Sequence, residues 1–440
     1  MVKVYFETLG CPKNFYDTEN AKGILEDAGF EICDDPEIAD FVVVNTCGFI
    51  NDAKTESIER IFDMASAKRD DAKLVVSGCL SKRYSKELFE EMPEADAFVG
   101  VNEYEKLPDI LRRLSENPGE RKVFCENGYD EVLKLLPRKL EENPYTATLK
   151  IAEGCDNVCA YCIIPFIRGG YRSKKMEDVV AEARALAEAG CRELILIAQD
   201  VTCYGLDLYG EYSLAKLLKK LCGIEGIRWI RLMYCYDDRI TDELIETIAS
   251  EDKICNYLDI PIQHASDAIL SAMNRRSNKA DLVAKLDKIR KAIPDIRIRT
   301  TLITGFPGET EKDHEELLEF VENQKFARLG VFAYSMEEGT AAGEMENQVD
   351  EDVKAQRLDE IMRIQREISL ENNRRLIGKT MEVMVDERDE DGSYIGRTRY
   401  DAPEIDNAVI FTSNRELKAG DIVNVKIEDA FDYDLTGEEC

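Results

Sequence analysis

Apolar runs alternate with amphipathic stretches over the first 115 residues of the chain. The apolar runs have the length of buried strands and cover residues 4–9, 41–45, 74–77 and 97–99. The stretches between them carry one polar face and predict helices over residues 17–28, 52–68 and 82–91. Strands and helices that alternate in this way predict a small parallel α/β sheet.

A second alternation runs from Thr146 to about Tyr334. Its strand-like runs are separated by helical stretches and cover residues 148–152, 193–198, 229–234, 257–260, 298–303 and 329–333. Consecutive βα units of this number predict a partial (βα)6 barrel of parallel strands. A charged helix is predicted over residues 350–376.

After Gly378 the apolar positions repeat every second residue. Short strands are predicted over residues 380–386, 393–398, 408–411 and 422–427. This pattern is typical of a small antiparallel β-barrel of the oligonucleotide-binding type. Because Pro118, Gly119 and Pro137 break the pattern, we predict an N-terminal α/β domain over 1–117, a linker over 118–140, a barrel domain over 141–376 and a small β-barrel over 377–440.

Composition limits the class of protein. No apolar run approaches the roughly 20 residues of a membrane helix, and the start of the chain is strand-like and lacks the pattern of a signal peptide. We therefore expect a cytoplasmic protein. The 14 cysteines then favour metal or iron–sulfur ligands, since the cytosol keeps thiols reduced. Only two histidines are present, which argues against a His-rich metal site.

The formal net charge of −31 indicates which kind of partner the protein binds. A protein that mainly binds nucleic acid usually carries a basic face. The charge therefore favours a basic protein partner.

Three cysteines with the spacing CxxxCxxC form the most specific motif. Cys155, Cys159 and Cys162 lie in one short loop directly after the first predicted barrel strand. Structural zinc sites usually need four ligands, whereas a 4Fe-4S cluster held by three thiolates keeps one iron open for a substrate group. The carboxyl ends of barrel strands are where active sites form, so we predict a 4Fe-4S cluster here rather than a zinc knuckle or three buried thiols.

A second set of cysteines shares one sequence context. Cys11, Cys47 and Cys79 each follow a predicted parallel strand, and each is adjacent to a glycine. The ligand crevice of an open parallel sheet lies beyond those strand ends. Three thiols with the same placement predict a second 4Fe-4S cluster in preference to three separate core cysteines.

The three-cysteine loop resembles that of the radical S-adenosylmethionine (SAM) superfamily. The segment Gly305-Phe306-Pro307-Gly308 after the fifth predicted strand is similar to the family's segment along the SAM adenine. The resemblance implies that the open iron binds the amino and carboxylate groups of SAM, and that electron transfer releases a 5′-deoxyadenosyl radical. The residues expected to contact SAM at the barrel mouth are Tyr161, Gln199, Gln263, Gly305, Pro307 and Gly308. For His264, a structural role and a catalytic role both stay open.

Over nearly its whole length the chain is similar to radical SAM methylthiotransferases. Their domain order is a cysteine-bearing N-terminal domain, a radical SAM barrel and a small C-terminal TRAM barrel. The resemblance implies two 4Fe-4S clusters, two SAM molecules per turnover, an electron donor and a sulfur source. It assigns Cys11, Cys47 and Cys79 to an auxiliary cluster, and the other triad to the cluster that cleaves SAM.

Within this family, residues 9–14, 78–84 and 401–406 resemble the branch that modifies an aspartate of small-subunit ribosomal protein twelve. The resemblance implies that Asp401, Glu404 and Asp406 bind this basic protein. Residues 376–440 contain 7 Lys and Arg against 17 Asp and Glu, a net charge of −10, which suits such a substrate. The chain departs from the branch's usual residues at Cys203, Cys235 and Asn407.

Three alternatives remain at this point. The first is the branch that methylthiolates adenosine in tRNA, which predicts a basic C-terminal barrel. The second is a non-catalytic iron–sulfur or zinc-binding protein, which would not cleave SAM. The third is a radical SAM enzyme in which the N-terminal cysteines are structural.

Overall fold

A computed structural model describes residues 1–125, 133–140 and 145–440. The chain divides into two compact units. Unit 1 consists of Met1–Glu142, Lys150–Val158 and Cys162–Val179, and unit 2 of Asn143–Leu149, Cys159–Tyr161 and Val180–Cys440.

The N-terminal part of unit 1 is a parallel sheet flanked by helices. Its strands are β1 (Lys3–Thr8), β2 (Glu31–Ile32), β3 (Phe41–Thr46), β4 (Lys73–Gly78), β5 (Ala97–Val99) and β6 (Lys122–Phe124). They pair in the order β2-β1-β3-β4-β5-β6, and every pair is parallel. The α-helices are α1 (Pro12–Asp27), α2 (Asn51–Ala67), α3 (Cys79–Arg83), α4 (Ser85–Glu91) and α5 (Leu107–Glu116).

The central strand β3 explains why this sheet is covered on both faces. All six of its residues are buried. Val43 packs in one hydrophobic cluster with Leu25 and Leu111, whereas Val42 packs in another with Ile61. Apolar side chains on both faces are what a parallel sheet between helices requires.

Strand β6 lies within the stretch for which we predicted a linker. It pairs with β5 through Ala97 and Lys122, so the sheet extends to residue 124. Strand β6 begins with Lys122 and is only partly buried, so it lacks the apolar run that predicted the equally short, fully buried β5. This pairing lies beyond the predicted boundary at residue 117, and part of the predicted linker lies outside the described residues.

The chain continues through β7 (Thr146–Lys150), β8 (Ala152–Glu153), α6 (Ile164–Arg168), β9 (Arg172–Ser173) and α7 (Met176–Glu188). Strands β8 and β9 form a two-stranded antiparallel sheet on either side of the three-cysteine loop. Gly154 allows this arrangement, because its φ is +77° and a Cβ there would lie 2.6 Å from the carbonyl oxygen of Gly169.

Unit 2 contains the predicted partial barrel. Its remaining strands are β10 (Glu193–Ile197), β11 (Trp229–Leu232), β12 (Ile254–Asp259), β13 (Arg297–Thr304) and β14 (Arg328–Ala333). They form a six-stranded sheet in the order β14-β13-β12-β11-β10-β7, which confirms the predicted fold class. The helices are α8 (Leu206–Tyr209), α9 (Leu214–Cys222), α10 (Asp242–Ser250), α11 (Asp267–Ala272), α12 (Lys279–Ala292), α13 (Glu311–Gln324) and α14 (Glu351–Arg374).

The C-terminal residues form a closed five-stranded barrel. Its strands are β15 (Thr380–Arg388), β16 (Tyr394–Thr398), β17 (Val409–Thr412), β18 (Ile422–Ala430) and β19 (Leu435–Glu439), in the order β15-β16-β17-β19-β18. The sequence did not predict β19, which pairs parallel with β17 and closes the barrel. Among the described helices, none combines the length and the hydropathy needed to cross a membrane.

Candidate active site

Cys11, Cys47 and Cys79 lie at the carboxyl edge of the sheet in unit 1. Cys11 is the N-cap residue of α1 directly after β1, Cys47 follows β3, and Cys79 begins α3 after β4. Strands β1, β3 and β4 are neighbours in the sheet. The fold therefore brings together three thiols that are separated by more than thirty residues in the sequence.

Glycines allow the loops that carry these thiols to approach closely. A Cβ on Gly10 would lie 2.8 Å from Cβ of Cys47, and a Cβ on Gly48 would lie 2.7 Å from the backbone nitrogen of Leu80. Distances below 3.0 Å leave no room for a side chain. The glycines next to Cys11 and Cys47 are therefore part of how the three-thiol cradle is formed.

Burial raises the pKa of two of these thiols, Cys47 and Cys79. It raises the pKa of Cys79 to about 12, and the neighbouring Cys11 and Cys47 thiols add to this rise while Arg168 opposes it. Burial also raises the pKa of Cys47. The Cys47 and Cys79 thiols are thus protonated at neutral pH until a metal replaces the proton, as expected of soft ligands.

The donor chemistry of this cradle suits an iron–sulfur cluster. Over residues 1–125, 133–140 and 145–440, no group of three or more His, Cys, Asp or Glu side chains could hold one metal ion. In a cubane each thiolate binds a different iron, so its ligand sulfurs are spaced more widely than those around one ion. Three soft thiols at one sheet edge, with no carboxylate among them, have the donor chemistry of such a cluster.

In the loop from Cys155 to Cys162, Cys155 and Cys162 belong to unit 1 and Cys159 belongs to unit 2. In unit 1, the backbone N–H and the side-chain amide of Asn157 both approach Sγ of Cys155 at 3.4 Å. In unit 2, Sγ of Cys159 lies 3.8 Å from the Tyr236 hydroxyl and 3.9 Å from Nη1 of Arg275. Polar groups around ligand sulfurs are among the contacts that orient and tune an iron–sulfur site.

The turn after β13 is held by one buried carboxylate. Oε2 of Glu309 accepts hydrogen bonds from the backbone N–H of Gly305 at 2.6 Å and of Phe306 at 3.1 Å. Arg357 of α14 donates to Oε1 at 3.0 Å. Burial alone would raise the pKa of Glu309, but His264 and Arg357 lower it, so the carboxylate is charged and fixes the turn that carries Pro307 and Gly308.

His264 has a structural environment. It is completely buried, and its Nδ1 accepts a hydrogen bond from the backbone N–H of Ser266 at 2.9 Å. Nδ1 is therefore the unprotonated nitrogen, and the proton resides on Nε2, which lies 3.6 Å from Glu309. These contacts favour the structural role over the catalytic one.

The other residues expected to contact SAM follow strand ends in unit 2. Gln199 follows β10, and Gln263 follows β12. The φ of Gln263 is +77°, a backbone conformation that residues other than glycine rarely adopt. Tyr234 after β11 is also left-handed, with φ of +60°. Strained residues at successive strand ends are typical of a functional site. Tyr161 packs against a hydrophobic cluster that contains Phe306.

The acidic loop of the small β-barrel is mostly engaged within unit 2. Asp401 accepts from Arg328 of β14 at 2.5 Å, and Asp406 accepts from the Tyr257 hydroxyl at 2.7 Å. Both side chains are buried, whereas Glu404 between them is exposed with φ of +66°. The structure thus places two of the three predicted substrate contacts in internal pairs. Of the residues that depart from the family's pattern, Cys203, Cys235 and Asn407 are all buried.

Sequence reasoning missed two buried arginines beside the thiols. Arg168 donates toward Sγ of Cys79 at 3.5 Å, and Arg275 approaches Cys159. Neither contact is local in the sequence, so no motif indicates it. The one sequence signal is that Arg168 comes six residues after Cys162.

Three family profiles match the chain. Residues 3–100 match "Uncharacterized protein family UPF0004", residues 149–321 match the radical SAM superfamily, and residues 377–439 match the TRAM domain. Among solved structures, the radical SAM methyltransferase TsrM of Kitasatospora setae, with cobalamin and a [4Fe-4S] cluster bound, has a TM-score of 0.59 at 16% identity. The match covers 78% of this chain and 77% of that one. This likeness shows the fold, and with the family matches it defines a radical SAM enzyme that carries a TRAM barrel.

Full-length relatives identify the branch. The proteins named "Ribosomal protein uS12 methylthiotransferase RimO" from Clostridioides difficile and Lachnoclostridium phytofermentans are 50% and 49% identical, over 100% and 99% of this chain and 99% of each relative. A protein of the same name from Desulforamulus reducens is 50% identical over 98% of both chains. The chain belongs to the RimO family of methylthiotransferases.

Proposed function

We propose that this protein adds a methylthio group to the β-carbon of an aspartate in ribosomal protein uS12. The observation that carries the proposal is the placement of Cys11, Cys47 and Cys79 at three neighbouring strand ends, in a chain that belongs to the RimO family. A radical SAM enzyme that only cleaves SAM has no need of a second thiol cradle. A methylthiotransferase has to handle sulfur as well as a radical.

Two 4Fe-4S clusters are proposed, each held by three thiolates. Cys11, Cys47 and Cys79 would hold the auxiliary cluster, and Cys155, Cys159 and Cys162 the cluster that meets SAM. When bound, the latter would supply the electron for reductive cleavage of SAM, the chemistry that makes hydrogen abstraction from an unactivated carbon accessible. A second SAM would donate the methyl group, and the reaction would also need an electron donor and a sulfur source.

The protein's own residues would position SAM in unit 2. Glu309 orients the N–H groups of Gly305 and Phe306, and thereby shapes the turn that would lie along the adenine. Gly308 is held by a hydrogen bond to the carbonyl of Asn347 at 2.7 Å. Tyr161, Gln199 and Gln263 are the side chains proposed to complete the contact, together with Pro307.

The proposed location is the cytoplasm, where ribosomal proteins are made. The substrate would meet an acidic TRAM barrel with a net charge of −10 over residues 376–440. Asp401, Glu404 and Asp406 were predicted to bind it, and the exposed Glu404 is the member of that set that can reach a partner without breaking an internal pair. The charge opposes binding of tRNA and suits a basic protein loop.

The direct test is product analysis. The protein is reconstituted anaerobically and given SAM and a strong reductant, with either a peptide from the aspartate-bearing loop of uS12 or bulk tRNA. Mass spectrometry should find an added methylthio group on the peptide and none on tRNA. Modification of tRNA alone would contradict the substrate, and SAM cleavage with neither product would contradict both substrates.

A cysteine variant separates the auxiliary cluster from the radical chemistry. Cys47→Ala should still cleave SAM but lose methylthio insertion and about half of the iron per chain. Cys33→Ala is the matched control, since Cys33 directly follows β2 in the same sheet but lies outside the proposed ligand set. If Cys47→Ala inserted sulfur as the unaltered protein does, the N-terminal cysteines would be structural.

A further inference from the structure

The guanidinium of Arg168 lies next to the thiol cradle of unit 1. It is 1% exposed, and its Nη2 donates to Oδ1 of Asn14 at 2.8 Å and toward Sγ of Cys79 at 3.5 Å. Asn14 is completely buried and belongs to α1, which begins just after Cys11. One face of a buried cation is therefore directed at the region where the three thiols meet.

The other face of Arg168 is fixed by two carboxylates. Nη1 donates to Oδ2 of Asp17 at 3.0 Å and to Oε2 of Glu153 at 2.9 Å. Lys150 pairs with the same two carboxylates, at 2.5 Å and 2.9 Å. All four side chains are nearly inaccessible to solvent.

These four charges balance without the thiols. Two cations and two carboxylates sum to zero, so the charge of Arg168 is already compensated within the quartet and does not require a charged thiolate. Burying such a quartet is costly unless each charge is well paired and hydrogen-bonded. The quartet fixes one orientation of Arg168, in which Nη2 is directed at Cys79. This suggests that the orientation of the guanidinium has a role at the thiol cradle.

We propose that Arg168 is a positioning residue of the auxiliary cluster site, where its Nη2 group hydrogen-bonds the Cys79 sulfur and stabilises negative charge on the bound cluster. This inference rests on the proposed function, because it takes Cys11, Cys47 and Cys79 as cluster ligands. Hydrogen bonds to ligand sulfurs and nearby charge are among the factors that set the reduction potential of a cluster. A buried cation favours the form that carries one more electron, since the interior screens charge weakly.

Arg168 also joins the cradle to the segment that leads into the three-cysteine loop. Glu153, which it binds, accepts the backbone N–H of Gly154 at 3.1 Å and lies two residues before Cys155. The backbone N–H of Cys155 donates to Gly169, the residue after Arg168, at 3.0 Å. Loss of the guanidinium should therefore affect the cradle first and the position of residues 153–155 second.

The test uses a full-length background in which Cys155, Cys159 and Cys162 are changed to Ala, so that one cluster site remains. Arg168→Gln and Arg168→Lys are compared with this parent after anaerobic loading with iron and sulfide. Iron and sulfide per chain are measured, and the reduction potential is followed by electron paramagnetic resonance. Arg138→Gln is the matched control, because Arg138 is a buried arginine of unit 1 that pairs with Glu19 and stacks on Tyr16 at 4.7 Å.

Arg168→Gln should make reduction of the cluster about tenfold less favourable, a fall of about 59 mV for one electron. Arg168→Lys keeps the charge but loses the planar guanidinium, so the reduction potential should fall less. If Arg168→Gln does not fold, Arg168→Lys still tests the proposal. Arg138→Gln should match the parent.

Two outcomes would overturn the inference in distinguishable ways. In the first, both Arg168 variants have the same reduction potential and the same cluster content as the parent. The hydrogen bond would then have no influence on a cluster that does bind. A parent that takes up no cluster would instead show that the proposed ligand assignment is wrong, and the inference would fail with it.

Discussion

Glu309 illustrates how one side chain can determine the shape of a predicted cofactor segment. It is buried, yet it is charged because it accepts two backbone N–H groups and faces Arg357. Hydrogen bonds to a charged acceptor contribute about 1.5–3 kcal/mol each when they are buried. The residue therefore stabilises the turn at Gly305 as well as orienting it.

Changing Glu309→Gln should destabilise unit 2 by about 2 kcal/mol at neutral pH. The folded-state pKa of Glu309 is lowered, so its contribution is present above the unfolded value of about 4.3 and is lost as the pH falls through the folded value. The difference in Tm between the unaltered protein and the variant should thus be widest near pH 7 and shrink in acid.

The control for this prediction is Glu315→Gln, an exposed position on α13. It should leave Tm nearly unchanged over the whole pH range. If the difference in Tm between the unaltered protein and Glu309→Gln stayed constant as the pH falls, the charge of Glu309 would not be what stabilises the turn. Thermal denaturation followed by circular dichroism measures both variants.

The functional roles of some residues can be inferred from the sequence, and those of others cannot. The six cysteines could be found because the thiol itself signals the chemistry and because strand ends and glycines recur beside them. Arg168 could not be found, since its role depends on Asn14, which is 154 residues away in the chain. Asp401 and Asp406 were assigned to a substrate, because a sequence does not reveal that Arg328 and Tyr257 are already their partners.

At the scale of elements, helix α14 packs on the turn after β13 through Gly305. The φ of Gly305 is +70°, and a Cβ at this position would overlap Cγ of Lys354 on α14. Lys354 is 2% exposed, and its Nζ donates to the carbonyl of Tyr334 at 3.0 Å, so its stem has little freedom to move away. The close approach of helix and turn requires glycine.

Gly305→Ala should therefore cost more than Gly308→Ala. Both glycines have positive φ, and Gly308, at +84°, has nothing within 4 Å of an added Cβ. Gly308→Ala should lose about 1 kcal/mol from backbone strain alone, whereas Gly305→Ala should lose about 2–4 kcal/mol because an overpacked contact adds to it. Chemical denaturation measures the difference, and equal losses would contradict a role for the contact with α14.

Elements with strong periodicity or a fully buried apolar run were predicted, whereas short strands that contain polar residues were not. The buried run that became β3 and the charged stretch that became α14 were located to within one or two residues. Strands β2 and β6 each begin with a charged residue and are not fully buried, so they lack the apolar run that identified the three-residue strand β5. Strand β19 contains Gly437 among polar residues, and its place in the barrel depends on pairing with β17 and β18.

At the scale of the whole molecule, charge separates the two substrate classes. The net charge of −31 and the −10 over residues 376–440 predict attraction to a basic protein and repulsion of a phosphate backbone. Part of the negative charge of the TRAM barrel lies on the loop over residues 401–406, and both ends of this loop are held by internal contacts. Asp401 and Asp406 are paired within unit 2, and Glu404 projects from between them next to Ile405, which is 51% exposed.

Reversal of one charge on this loop tests that account. Glu404→Lys should weaken binding of the proposed uS12 peptide about fivefold at low salt, since an exposed pair contributes up to about 1 kcal/mol. Glu416→Lys makes the same change of charge at an exposed position between β17 and β18, and it should have a smaller effect. Fluorescence anisotropy at about 0.01 M and about 0.1 M salt should show the two variants converging, because the Debye length falls from about 30 Å to about 10 Å. Equal losses for both variants would mean that the peptide responds to the overall field of the barrel, and that Glu404 makes no local contact with it.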